Sequence, residues 1–374
     1  MYIQIDQVGF RNKGAELMLW SIIDRLKNES QLQPKFVFGR GPATPEQIRR
    51  AGMYQKFSFQ RFKLRIEDVM PQKRLDPFGI VKHEEINVLL DAGGFQFGDQ
   101  WGDIYSEKSI SELNSYYNKF KSIGAKIIFL PQAFGPFDLP LSKALIKIVF
   151  ESADLIYARD TTSYNNLIEI FGEQPKIRLA PDFTSLLTSD VSLSLFQRVK
   201  DSICFIPNSK MVTHSNSGKT NYITFLSDMA NEFIKNGEKV IFLNHEGKDD
   251  LNLIKSITKA LNTEVDIVDG LDALQIKAVI SHVKILISSR FHGVASGLNQ
   301  CIPTFCTSWS HKYVELLKQY NCLHAILDLD NDLADTMQHI DKYKNVVCTK
   351  STIDNLKSST NEMWREVIDT LSYR

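Results

Sequence analysis

With 374 residues, 43% of them hydrophobic, and 44 Lys plus Arg against 44 Asp plus Glu, the chain is sized for two soluble domains and carries no net charge. That balance excludes a global basic field for nucleic acid, and no apolar run approaches the roughly 18–20 residues that span a bilayer. The five cysteines include no C-x-x-C pair and the eight histidines no H-x-x-x-H pair, so free thiols in a reducing compartment and no metal or cofactor are expected.

The first half alternates short β-branched runs with longer periodic segments. Strand Tyr2–Asp6 opens the chain without a leader pattern, which points to a cytoplasmic protein. It runs into Gln7-Val-Gly-Phe-Arg-Asn-Lys-Gly14, a glycine-bracketed loop around Asn12 that opens a helix over 15–28. Gly9 and Gly14 have the outer spacing of a P-loop, but the Lys and Ser/Thr that would hold phosphate and magnesium are missing. A plain turn and a ligand loop stay open there. After strand Lys35–Phe38 comes a basic stretch, 49–74, in which Phe57, Phe59, Phe62 and Leu64 interleave with Arg and Lys. It reads as a solvated insertion or, alternatively, as peripheral contact with an anionic membrane surface or lipid-linked acceptor.

Strand 87–91 ends in Asp91-Ala-Gly-Gly94, where paired glycines permit close backbone approach to a ligand or a helix. A helix over 106–123 leads to strand 126–131, whose end presents Gln132 at a rigid turn before Gly135-Pro136. After a helix over 142–152, strand Leu155–Ala158 delivers Arg159, Asp160 and Thr161. Asp160 or Thr161 caps the helix Thr161–Phe171. Arg159 ends an apolar strand, so it either pairs with Asp160 or Asp182 or faces an anion. Strand Ile177–Leu179 closes this half, and the Ser-rich segment 184–200 reads as an irregular crossover.

The second half carries strands over 202–207, 239–244 and 265–268, with helices over 222–236, 248–261 and 272–282. Asp249 and Asp250 read as first-turn helix acids and Asp328–Asp332 as a failed calcium loop, because its sixth and twelfth positions are Leu333 and His339. The most informative segment follows: strand Ile285–Ser288 running out through Ser288, Ser289, Arg290, His292 and Gly293 into a small-residue helix. Strand 304–306 comes next, followed by His311 and Lys312. A fixed cation, an imidazole, two hydroxyls and free N–H groups at one strand end suit an anionic small molecule that must be gripped and protonated. A helix over 352–371 ends the chain.

This alternation predicts an α/β protein of two doubly wound Rossmann-like domains facing a cleft, which resembles the GT-B arrangement of glycosyltransferases. The expected boundaries are 1–190 (acceptor side), 200–345 (donor side) and a terminal helix, 350–374, packing back on the first domain.

The motifs also resemble those of the polysaccharide pyruvyl transferases. The residues that carry the resemblance are Gly9…Asn12-Lys-Gly14, Asp91-Ala-Gly-Gly94, Pro131-Gln-Ala-Phe-Gly-Pro136, Ala158-Arg-Asp-Thr-Thr-Ser163, Pro181-Asp182 and Ser289-Arg-Phe-His-Gly293, with Pro303 and Lys312. One departure is Gly14-Ala15-Glu16, where the family often has Gly-Asp. The resemblance implies transfer of a pyruvyl group from phosphoenolpyruvate to a sugar of a surface polysaccharide or its lipid-linked precursor, as a cyclic ketal. Arg159 and Arg290 would then grip the donor and His292 act as acid. Asn12, Gly94, Gln132, Asp160, Asp182, Ser288, Ser289, Gly293, His311 and Lys312 would bind substrate. The general base stays open among Asp160, Asp182 and His292. A nucleotide-sugar glycosyltransferase and a non-catalytic sugar- or phosphate-binding module are the competing readings.

Overall fold

The computed structural model describes residues 1–56, 60–61, 64–65, 70–214, 222–307 and 311–372. The chain divides into two compact units: Met1–Phe10, Met18–Thr184 and Ser358–Arg374 form the first, Arg11–Leu17 and Ser185–Lys357 the second. In the first unit the strands are β1 Tyr2–Asp6, β2 Lys35–Phe38, β3 Tyr54–Lys56, β4 Gln60–Arg61, β5 Leu64–Arg65, β6 Ile80–Val81, β7 Ile86–Asp91, β8 Phe95–Phe97, β9 Lys126–Phe134, β10 Leu155–Ala158 and β11 Ile177–Leu179. They form one sheet in the order β11-β10-β9-β7-β1-β2-β3-β6, with β8 beside β9 and β4–β5 a separate antiparallel pair. Each pairing in the main sheet is parallel, so helices must cross its faces and its strands read as continuous apolar runs. The strand order reverses between β1 and β7, where Asp6 and Asp91 stand opposite each other.

The second unit holds β12 Ile203–Ile206, β13 Val240–Leu243, β14 Asp266–Val268, β15 Ile285–Ser288, β16 Thr304–Thr307 and β17 Ile326–Leu327. Their order, β14-β13-β12-β15-β16-β17, is the Rossmann order with all pairs parallel. Its switch point lies between β12 and β15, where Ile206 pairs with Ser288. Ligands of open α/β sheets sit outside the carboxyl ends of strands at such a point. Helix Gly247–Thr258 covers this sheet with Leu253, Ile254 and Ile257, each buried side chain contributing about 1.5–3 kcal/mol.

Several elements depart from expectation. Segment 184–200 is not wholly irregular: Ser192 caps a helix, Leu193–Val199, by accepting from the Leu195 N–H. Strand β9 does not stop at Pro131 but runs to Phe134, so Gln132 is fully buried inside it and not at a turn. Proline is tolerated because the register slips there. Leu130 and Pro131 together oppose Tyr157 alone, a bulge that needs no N–H from Pro131. The turn comes later, at the cis Gly135–Pro136 bond. Helices Pro45–Arg50, His311–Gln319 and Leu333–Tyr343 and strands β3, β6, β8 and β17 also go beyond the sequence reading.

The terminal helix, Lys350–Ser372, ends within the first unit. There Glu366 accepts from Tyr157 Oη at 2.7 Å and Arg178 Nε at 2.9 Å, while Trp364 meets Phe183 edge-on. Among the described residues no helix is long and apolar enough to cross a membrane.

Candidate active site

In the second unit the site is built at the end of β15. Ser288 is fully buried; its hydroxyl accepts from the Arg290 N–H at 3.1 Å and donates to the Arg290 carbonyl at 3.2 Å, which folds the strand end back. Ser289 is equally internal. Its Oγ contacts Tyr222 Oη and Thr307 Oγ1, both at 2.5 Å, and its carbonyl accepts from Asn208 and Tyr313. Both hydroxyls, expected to meet a ligand, are engaged with the chain itself and shape the turn. They serve it because buried hydroxyls must find partners, and the nearest are on the chain itself.

That turn delivers Arg290 as the residue preceding helix Phe291–Asn299, with His292 in its first turn. Gly293 lies so near Ser288 that an added Cβ would sit 2.5 Å from Ser288 Oγ. Gly14 meets His292 even more closely, and a Cβ there would run into the imidazole. Asn12 is the cap of helix Lys13–Leu26: its Oδ1 accepts from the Gly14 and Ala15 N–H groups at 2.9 and 3.2 Å. The glycine-bracketed loop is therefore both a turn and a close neighbour of the imidazole. Glu16 is paired with Lys13 at 2.6 Å.

Arg290 is held by two carboxylates, one of them Asp250, a first-turn helix acid as expected but with this partner unforeseen. Asp250, fully buried on helix Gly247–Thr258, takes Arg290 Nε at 2.8 Å on Oδ2 and Nη2 at 2.5 Å on Oδ1. Glu246 takes Arg290 Nη1 on Oε2 and Asn12 Nδ2 at 3.3 Å on Oε1. His245 also belongs here. It is 5% exposed, and burial, followed by the charges of Arg290, His292 and Lys13, drives its pKa well below the usual imidazole range. It is a neutral imidazole beside the guanidinium. Asp250 was legible in retrospect: it falls in phase with Leu253, Ile254 and Ile257, on the buried face of its helix. Glu246 and His245 carry only one signal, their place after an apolar strand.

Lys312, on helix His311–Gln319, lies 5.7 Å from the Phe291 ring and 5.6 Å from the Tyr313 ring, beside the same helix start. The His311 side chain lies outside the described residues.

In the first unit the strand ends gather Arg159, Asp182 and Gly94. Arg159 is 4% exposed and its Nη1 stands 3.8 Å from Asp182 Oδ2, the carboxylate partner anticipated as one option. Asp182 also accepts from the Thr184 N–H at 2.9 Å. Asp160 is the helix cap, accepting from the Ser163 N–H at 2.7 Å. A Cβ on Gly94 would meet Arg159 Nη1 at an ordinary 3.8 Å, which places Gly94 beside the guanidinium without crowding it. Gln132 accepts from Gln96 at 3.1 Å and donates to Asp91 at 3.4 Å.

Next to this group stand the two buried acids of the switch point. Asp6 accepts from Arg40 Nε, Tyr116 Oη and Gln4 Nε2 at 3.1, 2.7 and 2.7 Å. Asp91 accepts from the Gly93 N–H and Gln96 on Oδ1, while its Oδ2 has no hydrogen-bond partner. Burial, then the charge of Asp6, pushes its carboxyl up to about 7.

Of the basic stretch 49–74, residues 57–59, 62–63 and 66–69 lie outside the described residues, and with them Phe57, Phe59 and Phe62. Within the described part, Arg50 pairs with Glu46 at 2.5 Å and Lys56 lies 5.3 Å from the Phe120 ring. Among the described residues no cluster of His, Cys, Asp and Glu is placed to hold a metal ion.

Known structures share this fold. A UDP-GlcNAc 2-epimerase from Neisseria meningitidis bound to UDP-GlcNAc aligns over 99% of this chain and 100% of its own, at TM-score 0.63 and 11% identity. The Methanocaldococcus jannaschii UDP-GlcNAc 2-epimerase gives 0.63 over 98% and 99% at 11% identity. A Rickettsia africae glycosyltransferase gives 0.56 over 99% and 97%, also at 11%. At such identity the likeness is one of fold, two Rossmann-like units of the GT-B type. No curated protein matches the sequence. A family model described as polysaccharide pyruvyl transferase matches residues 12–311, a span from the Asn12 loop through the Arg290–His292 turn, and the chain belongs to that family.

Proposed function

We propose that the protein transfers the pyruvyl carbons of phosphoenolpyruvate to two hydroxyls of one sugar in a polysaccharide or its lipid-linked precursor. The observation that carries this reading is the β15 turn, which sets a guanidinium, an imidazole and a helix start together at the switch point of a Rossmann sheet. Arg290, with Lys312 nearby, would hold donor oxygens, because a guanidinium fork matches carboxylate and phosphate.

His292 would deliver a proton to the methylene carbon as the first sugar hydroxyl adds at C2, and that hydroxyl's proton would return to the imidazole. The C2–O bond to phosphate then breaks, the second hydroxyl closes on C2, and its proton leaves with the phosphate. Phosphoenolpyruvate and a diol thus become a pyruvate ketal and inorganic phosphate. Histidine suits the step because its ordinary pKa lies near neutrality.

The test is thermal unfolding of the purified protein with phosphoenolpyruvate, UDP or UDP-N-acetylglucosamine, followed by phosphate release with candidate acceptors. A ligand at 100 times its Kd should stabilise the folded state by about 2.7 kcal/mol. Stabilisation by phosphoenolpyruvate with acceptor-dependent phosphate release supports the reading. Stabilisation by the UDP compounds alone would favour nucleotide-sugar chemistry and end it.

Gly14→Ala offers a separate check on His292. The substitution should raise helix propensity by roughly 0.5–1 kcal/mol, yet its methyl displaces the imidazole. Turnover is expected to fall at least about tenfold with the Tm nearly unchanged, on the rule that each 1.4 kcal/mol of misplacement costs a factor of ten. Full activity in this variant would remove His292 from the proton-transfer step.

A further inference from the structure

We propose that the Glu246 carboxylate is a displaceable stand-in for an acid group of the donor: it holds Arg290 Nη1 and Asn12 Nδ2 and yields both to the incoming anion. This deepens the proposed function and rests on the donor being an anion bound at Arg290.

The two carboxylates on Arg290 differ in kind. Asp250 is fully buried, grips the Nε–Nη2 edge side-on and is itself tied by the Ser209 N–H at 2.9 Å. It fixes the guanidinium plane. Glu246 takes only the remaining end of the fork, with its side chain 24% exposed. It precedes helix Gly247–Thr258 without capping it, and Gly247 beside it has φ of +60, the left-handed state that favours glycine. One carboxylate orients the cation; the other is partly exposed and, among the described residues, has no bond to the backbone to hold it.

Charge gives the second argument. One guanidinium faces two carboxylates, the nearby Lys13 is already matched by Glu16, and His245 is neutral. Even with Lys312 nearby, an arriving carboxylate or phosphate would find Nη1 already occupied by a like charge unless Glu246 moved away. Exchanging Glu246 for a donor oxyanion is a like-for-like swap on Nη1, which keeps the guanidinium paired throughout. The Nδ1 of His245, 5% exposed and without a hydrogen-bond partner, adds a buried polar atom in the same group that the protein itself leaves unsatisfied.

The experiment is titration calorimetry of full-length wild type, Glu246→Gln and Glu246→Ala with phosphoenolpyruvate, inorganic phosphate and UDP, after thermal unfolding shows all three proteins folded. Loss of the competing charge is expected to tighten phosphoenolpyruvate binding about tenfold in both variants, as for a part-buried charge pair. Equal or weaker binding in the variants overturns the displacement while leaving the donor reading intact. If UDP binds and phosphoenolpyruvate binds none of the proteins, the donor reading fails, and tighter UDP binding in Glu246→Gln still upholds the displacement. Binding of no anion to any of them overturns both.

Discussion

Replacing Asp250 with alanine is expected to lower the unfolding free energy by about 3 kcal/mol and to abolish donor binding at Arg290. The carboxylate is fully buried and pairs with a guanidinium whose side chain is 13% exposed. Breaking such a pair strands a buried charge, at a cost of about 3–5 kcal/mol. The lower end applies because Glu246 stays to neutralise Arg290. The functional loss has a different origin. Without Asp250 the guanidinium loses the side-on contact that sets its plane, and Glu246 becomes its only described carboxylate partner, a tighter competitor for the same Nη1. Urea denaturation followed by calorimetry with phosphoenolpyruvate separates the two effects. Asp249→Ala, on the exposed side of the same helix, serves as the control and should stay within about 0.5 kcal/mol of wild type. A midpoint for Asp250→Ala equal to that of Asp249→Ala would mean that the pair orients nothing.

The same ion pair marks where sequence reading ran out. Strand positions were legible because parallel strands buried on both faces are short runs of Ile, Val, Leu and Phe; β1, β2, β10, β11 and β15 fall where that pattern puts them. Helix caps were legible for the same local reason, as with Asp160. Elements at the periphery of each sheet, such as β6 and β17 with two residues each, carry too few side chains to leave a pattern. The helix Leu193–Val199 hid behind a serine-rich surface. The candidate site was legible at Arg290 and His292, since their types state their chemistry. Its carboxylates were not, because Asp250 meets Arg290 from 40 residues away and nothing local announces the pairing. The internal partners of Ser288 and Ser289 were hidden for the complementary reason: composition does not reveal which groups a turn hydroxyl meets.

Asp91→Asn should make the protein more stable than wild type at pH 8, with the advantage vanishing towards pH 4. Asp91 sits at the end of β7 with Asp6 beside it on β1, Arg40 beyond Asp6, and Tyr116 and Tyr117 above on helix Glu107–Ser122. Burial and the Asp6 charge disfavour its ionised form, so its folded pKa rises from 3.8 to about 7. Between those values the folded protein keeps a proton that the unfolded chain releases. The stabilisation is complete below the unfolded pKa and is lost as pH rises through the folded one, with a ceiling of roughly 4 kcal/mol. Asparagine keeps the Oδ1 that accepts from Gly93 and replaces the unpartnered Oδ2 with a neutral amide, so it has no proton to lose. Urea midpoints of both proteins at pH 4.5, 6 and 8 should therefore diverge as pH rises. Parallel curves would show that folded Asp91 holds no proton that the unfolded chain releases.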